Sequence, residues 1–308
     1  MNANNTPFIT DTENDNLWLS RDDGLDIKLK DYGVTPTVLA TEAAVGQAML
    51  EELYSTAASK SGDINIALLG GRGAQALHRL LGELAKSTER DVLFSRLNVF
   101  TQDALAPMAM NNGLSFVRDF ERILGDDFFN KIKSFTPMKT DADDLEAALS
   151  SYLNKLDALG GLDIFFIGHG PEDNQASHLA YIKPFSGAKE HHLAGIIPIS
   201  NSILEHHIAK FKAGGSLVSE QDEGECRAAE YILTLGPAAI LKAKKIVQSV
   251  VDAETAPAKV QTYSKVASTQ LSLQKDETLN QLDENPGLWI RLHPNVKSFV
   301  LPNVIVDG

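Results

Sequence analysis

A lone cysteine, Cys226, leaves no intramolecular disulfide to form, so this 308-residue chain must rely on a packed core instead of a covalent framework. The thiol is expected to be buried and inert. Positive charge is also scarce. Twenty-eight basic residues against 41 acidic ones give −13, a field that repels nucleic-acid backbones and anionic lipid, so no nucleic-acid partner is expected. No window approaches the roughly 18 consecutive apolar residues of a membrane span. The polar, acidic first thirty residues carry neither the basic nor the apolar region of a secretory signal. A cytoplasmic protein without membrane contact is the expectation.

The sequence has an ordinary globular composition, 43% hydrophobic and 22% charged, and a length sufficient for a sizeable core. Residues 1–16, rich in Asn, Thr and Asp, are expected to form a loose N-terminal segment or an edge. With no fixed-period repeat and no internal linker, residues 17–308 are expected to make one domain.

Between 36 and 60, Leu39, Ala43, Met49, Leu50 and Leu53 recur at near-helical spacing and predict a helix. Residues 64–69 form a short apolar run closed by Gly70-Gly71, the profile of a buried parallel strand. Leu77, Leu80, Leu81 and Leu84 follow at i, i+3, i+4, i+7, giving strand, glycine turn and helix in succession. The pattern recurs at 162–167, which ends in Gly168-His169-Gly170 after an amphipathic stretch over 143–159. It recurs again at 231–235, which runs through Gly236-Pro237 into a predicted helix bearing Ile240, Ala243, Val247 and Val250. Residues 97–100 are a further strand candidate. Such alternation predicts a single doubly wound α/β domain, its mostly parallel sheet covered by helices on both faces.

Ligands of such sheets sit beyond the carboxyl ends of the strands, which directs attention to four loops. In Gly70-Gly71-Arg72-Gly73, glycine N–H groups and a helix start favour an anion, and Arg72 offers a bidentate contact; a plain tight turn is the competing reading. The loop matches neither the P-loop nor the dinucleotide fingerprint. Thr101-Gln102-Asp103 places a carboxylate at a strand end, as general base or as helix cap. The loop from Gly168 to Tyr181 carries His169, Glu172, Asp173 and His178, ingredients of acid–base chemistry, although a histidine beside Leu179 also suits a packed, hydrogen-bonded role. Thr234-Leu235-Gly236 is another helix start able to support an anion. The pairs His191-His192 and His206-His207 lack the i, i+4 spacing of a helical metal site and are expected at the surface, with no metal bound.

In order, these features resemble the glucosamine-6-phosphate isomerase/deaminase family, whose superfamily includes the 6-phosphogluconolactonases. The resemblance runs over roughly 36–300. It rests on Gly70-Gly71, Phe100 to Asp103, Gly168-His169-Gly170 leading to His178-Leu179-Ala180-Tyr181, Thr234-Leu235-Gly236, and His293-Pro294-Asn295-Val296. The resemblance implies a phosphorylated sugar as the small-molecule partner and no metal or cofactor. It also implies that Asp103 moves a proton at the carbon beside the anomeric centre and that His178 helps open the sugar ring. The sequence departs from the family at Ala176 and Lys183, where acidic residues are usual, and at Ala104-Leu105 in place of Glu-Tyr. Glu172 or Asp173 is the candidate replacement for the first lost carboxylate. Lys183 reverses a charge, and is expected to hold a substrate anion or to pair with Glu172, turning the site away from deamination. Three readings stay open: aldose/ketose isomerisation, lactone hydrolysis with His178 activating water, and sugar-phosphate binding with weak catalysis. A homo-oligomer is compatible with all three.

Overall fold

The computed structural model describes residues 7–21, 29–251, 254 and 256–305. In chain order the strands are β1 (Ile9–Glu13), β2 (Asn16–Ser20), β3 (Pro36–Val38), β4 (Ile64–Leu68), β5 (Leu97–Thr101), β6 (Asp103–Ala106), β7 (Ser134–Thr136), β8 (Ile164–Pro171), β9 (Ser177–Leu179), β10 (Ala194–Pro198), β11 (Tyr231–Leu235), β12 (Ile246–Val250) and β13 (Val296–Val300). The α-helices are α1 (Glu42–Ser59), α2 (Gln75–Ala85), α3 (Asp91–Phe94), α4 (Phe116–Lys131), α5 (Leu145–Ala158), α6 (Asn201–Ala213), α7 (Glu220–Arg227), α8 (Pro237–Lys242), α9 (Ala258–Ser268) and α10 (Lys275–Glu284).

The larger sheet runs β3-β13-β12-β8-β4-β5-β7 with every neighbouring pair parallel, and β9 folds back antiparallel on β8. Side chains alternate along β8 between two apolar cores. Phe165 and Ile167 face the core that includes Leu149, Tyr152 and Leu153 of α5, whereas Ile164 and Phe166 face the one containing Met49 of α1 and Leu77 of α2. Helices therefore cover both faces, as the strand–helix alternation predicts. A second sheet, the antiparallel β1-β2-β10-β11-β6, was not expected from the strand–helix alternation.

Several expectations need correction. Of the segment expected to be loose or an edge, the described part includes β1, which is an edge strand and not loose, its residues pairing with β2 from Ile9↔Ser20 to Glu13↔Asn16; residues 1–6 lie outside the described part. The helix predicted from 36 begins at Glu42, because Thr41 caps it by accepting the Ala44 N–H, and Pro36–Val38 is strand β3 instead. The helix predicted beyond Gly236-Pro237 stops at Lys242. Val247 and Val250, assigned to its apolar face, belong to β12, a strand paired on both sides and buried throughout. A strand buried on both faces has no alternation, so its apolar positions match helical spacing by chance. β11 is a strand as expected, but it lies antiparallel between β10 and β6.

Candidate active site

A cleft opens at the carboxyl ends of β4, β5 and β8. Its walls bring together most of the residues singled out from the sequence: Gly70, Gly71, Arg72 and Gly73, Asp103, Gly168, His169 and Gly170, and His178. The glycine loop leaves β4 and enters a short 3-10 turn, Arg72–Ala74, before α2 begins at Gln75. Gly71 has φ +70°, a conformation that disfavours side chains, and the Phe116 ring occupies the space a Cβ on Gly70 would need. Neither Gly71 nor Ala74 caps its turn with a side chain, so the N–H groups at this helix start have no capping partner of that kind. Arg72 lies on the cleft wall with its guanidinium paired to Glu42 at 2.7 Å.

Asp103 is not in a loop. It opens β6, directly across from Thr234 on β11. The carboxyl is buried. Its Oδ2 accepts from the Gln102 amide at 2.7 Å, and its Oδ1 has no hydrogen-bond partner among the described residues. Burial pushes its pKa up to about 7, against the opposing effect of the Gln102 hydrogen bond.

The Gly-x-Gly segment is also strand and not loop, because β8 runs on to Pro171 and pairs there with β9, setting Gly170 opposite His178. A Cβ on Gly170 would stand 2.0 Å from His178 Cε1, so the imidazole occupies the room that glycine leaves. After His178 the chain turns through Ala180 (φ +47°) and Tyr181 (φ +54°), closed by paired backbone bonds between Leu179 and Ile182. Two successive positive φ values in non-glycine residues are strained, and surrounding contacts hold them. The Thr234 hydroxyl donates to the Ala180 carbonyl, so Asp103's cross-strand neighbour also fixes the His178 turn. Tyr181 stacks on His178 at 4.1 Å between centroids, and its N–H donates to Nδ1 at 3.2 Å. Burial, then the charge of Lys259, lowers the His178 pKa well below the ordinary histidine value. His169 is likewise held neutral, its pKa lowered to about 3 by burial and by Lys259, and its Nε2 meets the Gln248 amide at 2.7 Å.

Glu172, Asp173 and Lys183 do not join this cleft. The Lys183 ammonium donates to the Pro198 carbonyl at 2.9 Å. Burial raises the Glu172 pKa, against the nearby Lys183 charge and a hydrogen bond with Ser200. Asp173 is exposed and accepts the Gln175 and Ala176 N–H groups, which makes it the turn residue of the β8–β9 hairpin. Thr234-Leu235-Gly236 is not in the cleft wall either; Thr234 supports it from behind. His293 is buried, with Nε2 against the Ala243 carbonyl at 2.7 Å, a structural link remote from the cleft.

The sequence reading missed Lys210 on α6 and Lys259 on α9, both of which line the cleft. Lys259 is only 5% exposed. Had β12 been read as a strand, the helix start just beyond it would have been the next place to look. Of the adjacent histidine pairs expected at the surface, His192 and His207 are buried. Asp11, His191 and His192 lie close together, but His192 Nδ1 accepts the Lys189 N–H, so neutral His192 carries its proton on Nε2 and has no lone pair there for a metal. Cys226 is buried, with its pKa raised by burial to about 12, as an inert thiol should be. No helix among the described residues is long and apolar enough to cross a membrane.

No family model and no curated protein matches the chain. Solved structures do match it. A monomeric glucosamine-6-phosphate deaminase of the NagB superfamily superposes with a TM-score of 0.67 at 19% identity, over 88% of this chain and 98% of that one. The 6-phosphogluconolactonase from Trypanosoma cruzi gives 0.61 at 14%, over 89% and 97%, and that from Trypanosoma brucei 0.60 at 17%, over 90% and 98%. This chain shares their fold.

Proposed function

We propose that the chain is a divergent member of the superfamily of these deaminases and lactonases and processes a phosphorylated sugar, by proton transfer at carbon in an aldose/ketose isomerisation. One observation carries the reading: Asp103 lines the cleft and keeps a buried carboxyl oxygen with no partner among the described residues, with its pKa raised to about 7, where a general base works best. In this reading the Gly70–Gly73 turn, the start of α2, Arg72, Lys210 and Lys259 hold the phosphate. The carboxyl-terminal end of α6 sits beside the start of α2, Gly214 lying against the Gln75 amide, so Lys210 and the glycine loop border the same end of the cleft. Asp103 takes a proton from the carbon beside the carbonyl and returns it to the neighbouring carbon. His178 donates a hydrogen bond to the ring or carbonyl oxygen.

Lactone hydrolysis is the second reading, favoured by the likeness to two lactonases. There Asp103, not His178, would activate water, because an imidazole whose Nδ1 accepts the Tyr181 N–H carries its proton on Nε2. The test is incubation of candidate sugar phosphates with the protein in deuterated water. Deuterium incorporation at carbon that Asp103→Asn abolishes supports isomerisation; lactone hydrolysis without incorporation supports the second reading.

A further inference from the structure

Gln102 joins the two sheets. The chain bends there between Thr101, the last residue of β5 in the parallel sheet, and Asp103, the first of β6 in the antiparallel one. Its N–H donates to the Leu68 carbonyl of β4 at 3.0 Å and its carbonyl accepts the Leu235 N–H of β11 at 3.0 Å, so each sheet holds one side of its backbone. Asp103 is fixed in a similar way by its register with Thr234. Successive side chains of an unbroken strand point to opposite faces, and the bend lets these two meet. The Gln102 Nε2–H donates to Asp103 Oδ2 at 2.7 Å, and both residues line the cleft at 4% exposure. Each also keeps a buried oxygen, Gln102 Oε1 and Asp103 Oδ1, with no partner among the described residues. Packing alone would be served as well by methionine, which fills a similar volume with no polar oxygen or nitrogen to desolvate.

We propose that Gln102 is the positioning residue of the Asp103 base: its carboxamide holds Oδ2, fixes the plane of the carboxyl and leaves Oδ1 as the oxygen that takes the proton. The inference rests on the isomerase reading above and adds to it the residue that sets its base. As the substrate C–H bond breaks, the Oδ1–H bond forms and the electron pair stays on the sugar as an enediolate; the same proton then returns to the neighbouring carbon. Burial raises the Asp103 pKa to about 7, and the hydrogen bond donated to Oδ2 opposes that rise by favouring the carboxylate. Without the bond, the base should stay protonated to higher pH. Burial and the Asp103 charge keep Tyr152 of α5 and Tyr181 as neutral phenols, and burial keeps His169, His178 and His207 as neutral imidazoles. The other ionisable groups of the cleft wall, Arg72, His206, Lys210 and Lys259, are common to the protein and to a Gln102 variant. A difference between the two therefore reports the lost hydrogen bond.

The test is an NMR titration of the full chain, labelled in its aspartate carboxyls and glutamine amides, alongside hydrogen exchange in deuterated water with glucose 6-phosphate and fructose 6-phosphate, an aldose and a ketose of one carbon skeleton. In the unmutated protein the Gln102 side-chain amide resonance should move with the midpoint of the Asp103 carboxyl. A resonance that stays flat through that midpoint overturns the pairing. In Gln102→Met the Asp103 midpoint should rise by about one pH unit or more, so exchange at pH 6 should fall about tenfold or more and recover towards pH 9. A uniform loss with the midpoint unmoved makes Gln102 a packing residue and overturns the proposal. The two readings fail separately. Exchange in the unmutated protein, with no shift of midpoint in Gln102→Met, removes the role of Gln102 and keeps the isomerase reading. No exchange into either sugar at any pH overturns the isomerase reading and this role with it.

Discussion

Asp103 illustrates a conflict between stability and chemistry at a single residue. Burial raises its folded pKa to about 7 from an ordinary value of 3.8, so an unfolded chain ionises this carboxyl more readily than the folded one does. The stability it contributes is therefore complete below about pH 4 and is lost progressively as pH climbs to about 7. Catalysis needs the opposite state, because the base works only when deprotonated, and the exchange rate should rise with pH to a plateau above about 7. Asp103→Asn keeps the shape and removes the charge. We expect it to abolish carbon-bound hydrogen exchange while raising the urea midpoint at pH 8 more than at pH 4. Arg72→Ala, by contrast, should leave the pH profile alone and weaken inorganic phosphate binding about 10- to 100-fold, the loss of roughly 1.5–3 kcal/mol for a hydrogen bond to a charged group. Unchanged phosphate affinity by calorimetry would remove the glycine loop from the anion site.

The β8–β9 hairpin governs the geometry at the scale of elements. Because Gly170 stands across from His178, Gly170→Ala puts a methyl group into the imidazole. The ring must move, so exchange should fall at least tenfold with phosphate affinity unchanged. The turn beyond it stores strain: Ala180→Gly should raise stability by about 1 kcal/mol, read as a higher urea midpoint, since glycine adopts φ +47° at no steric cost. Legibility in the sequence divides at this scale too. β4, β5 and the first half of β8 show themselves as apolar runs ending in polar or glycine residues, and the ligand-facing ends of parallel strands are then known in advance. The continuation of β8 through Gly168-His169-Gly170 is hidden, because two glycines beside a histidine read as a turn until the pairing with β9 is seen. Glu172 and Asp173 were expected in the site for the same reason, since treating the hairpin as a loop places its tip beside its base; Lys183, beyond the hairpin, was expected there only through the resemblance.

For the whole molecule, the sequence discloses a parallel sheet covered on two sides but not the second sheet, whose strands come from four separate stretches of chain. β6 and β11 are too short for periodicity to assign a partner, and only tertiary pairing makes Thr234 the neighbour of Asp103. The cations Lys210 and Lys259 escape for a similar reason, since each sits on a helix that the fold, and not local spacing, turns toward the cleft.

The pairing of β3 with β13 also bears on how the protein is made. Among the described strands, β3, near the start of the chain, pairs only with β13, near its end, and β13 in turn covers β12. A ribosome therefore delivers β3 long before the strand that holds it, and the nascent chain must carry β3 without its sheet partner until residue 300 is free. Translation stopped after residue 295 should yield a chain whose β12 edge is bare and open to pairing with other chains. Such a product should be recovered in aggregates, whereas one stopped after residue 305 should stay in solution and bind phosphate. Centrifugation of the two products separates these outcomes, and a dispersed, phosphate-binding 1–295 fragment would show that the sheet closes without its last strand.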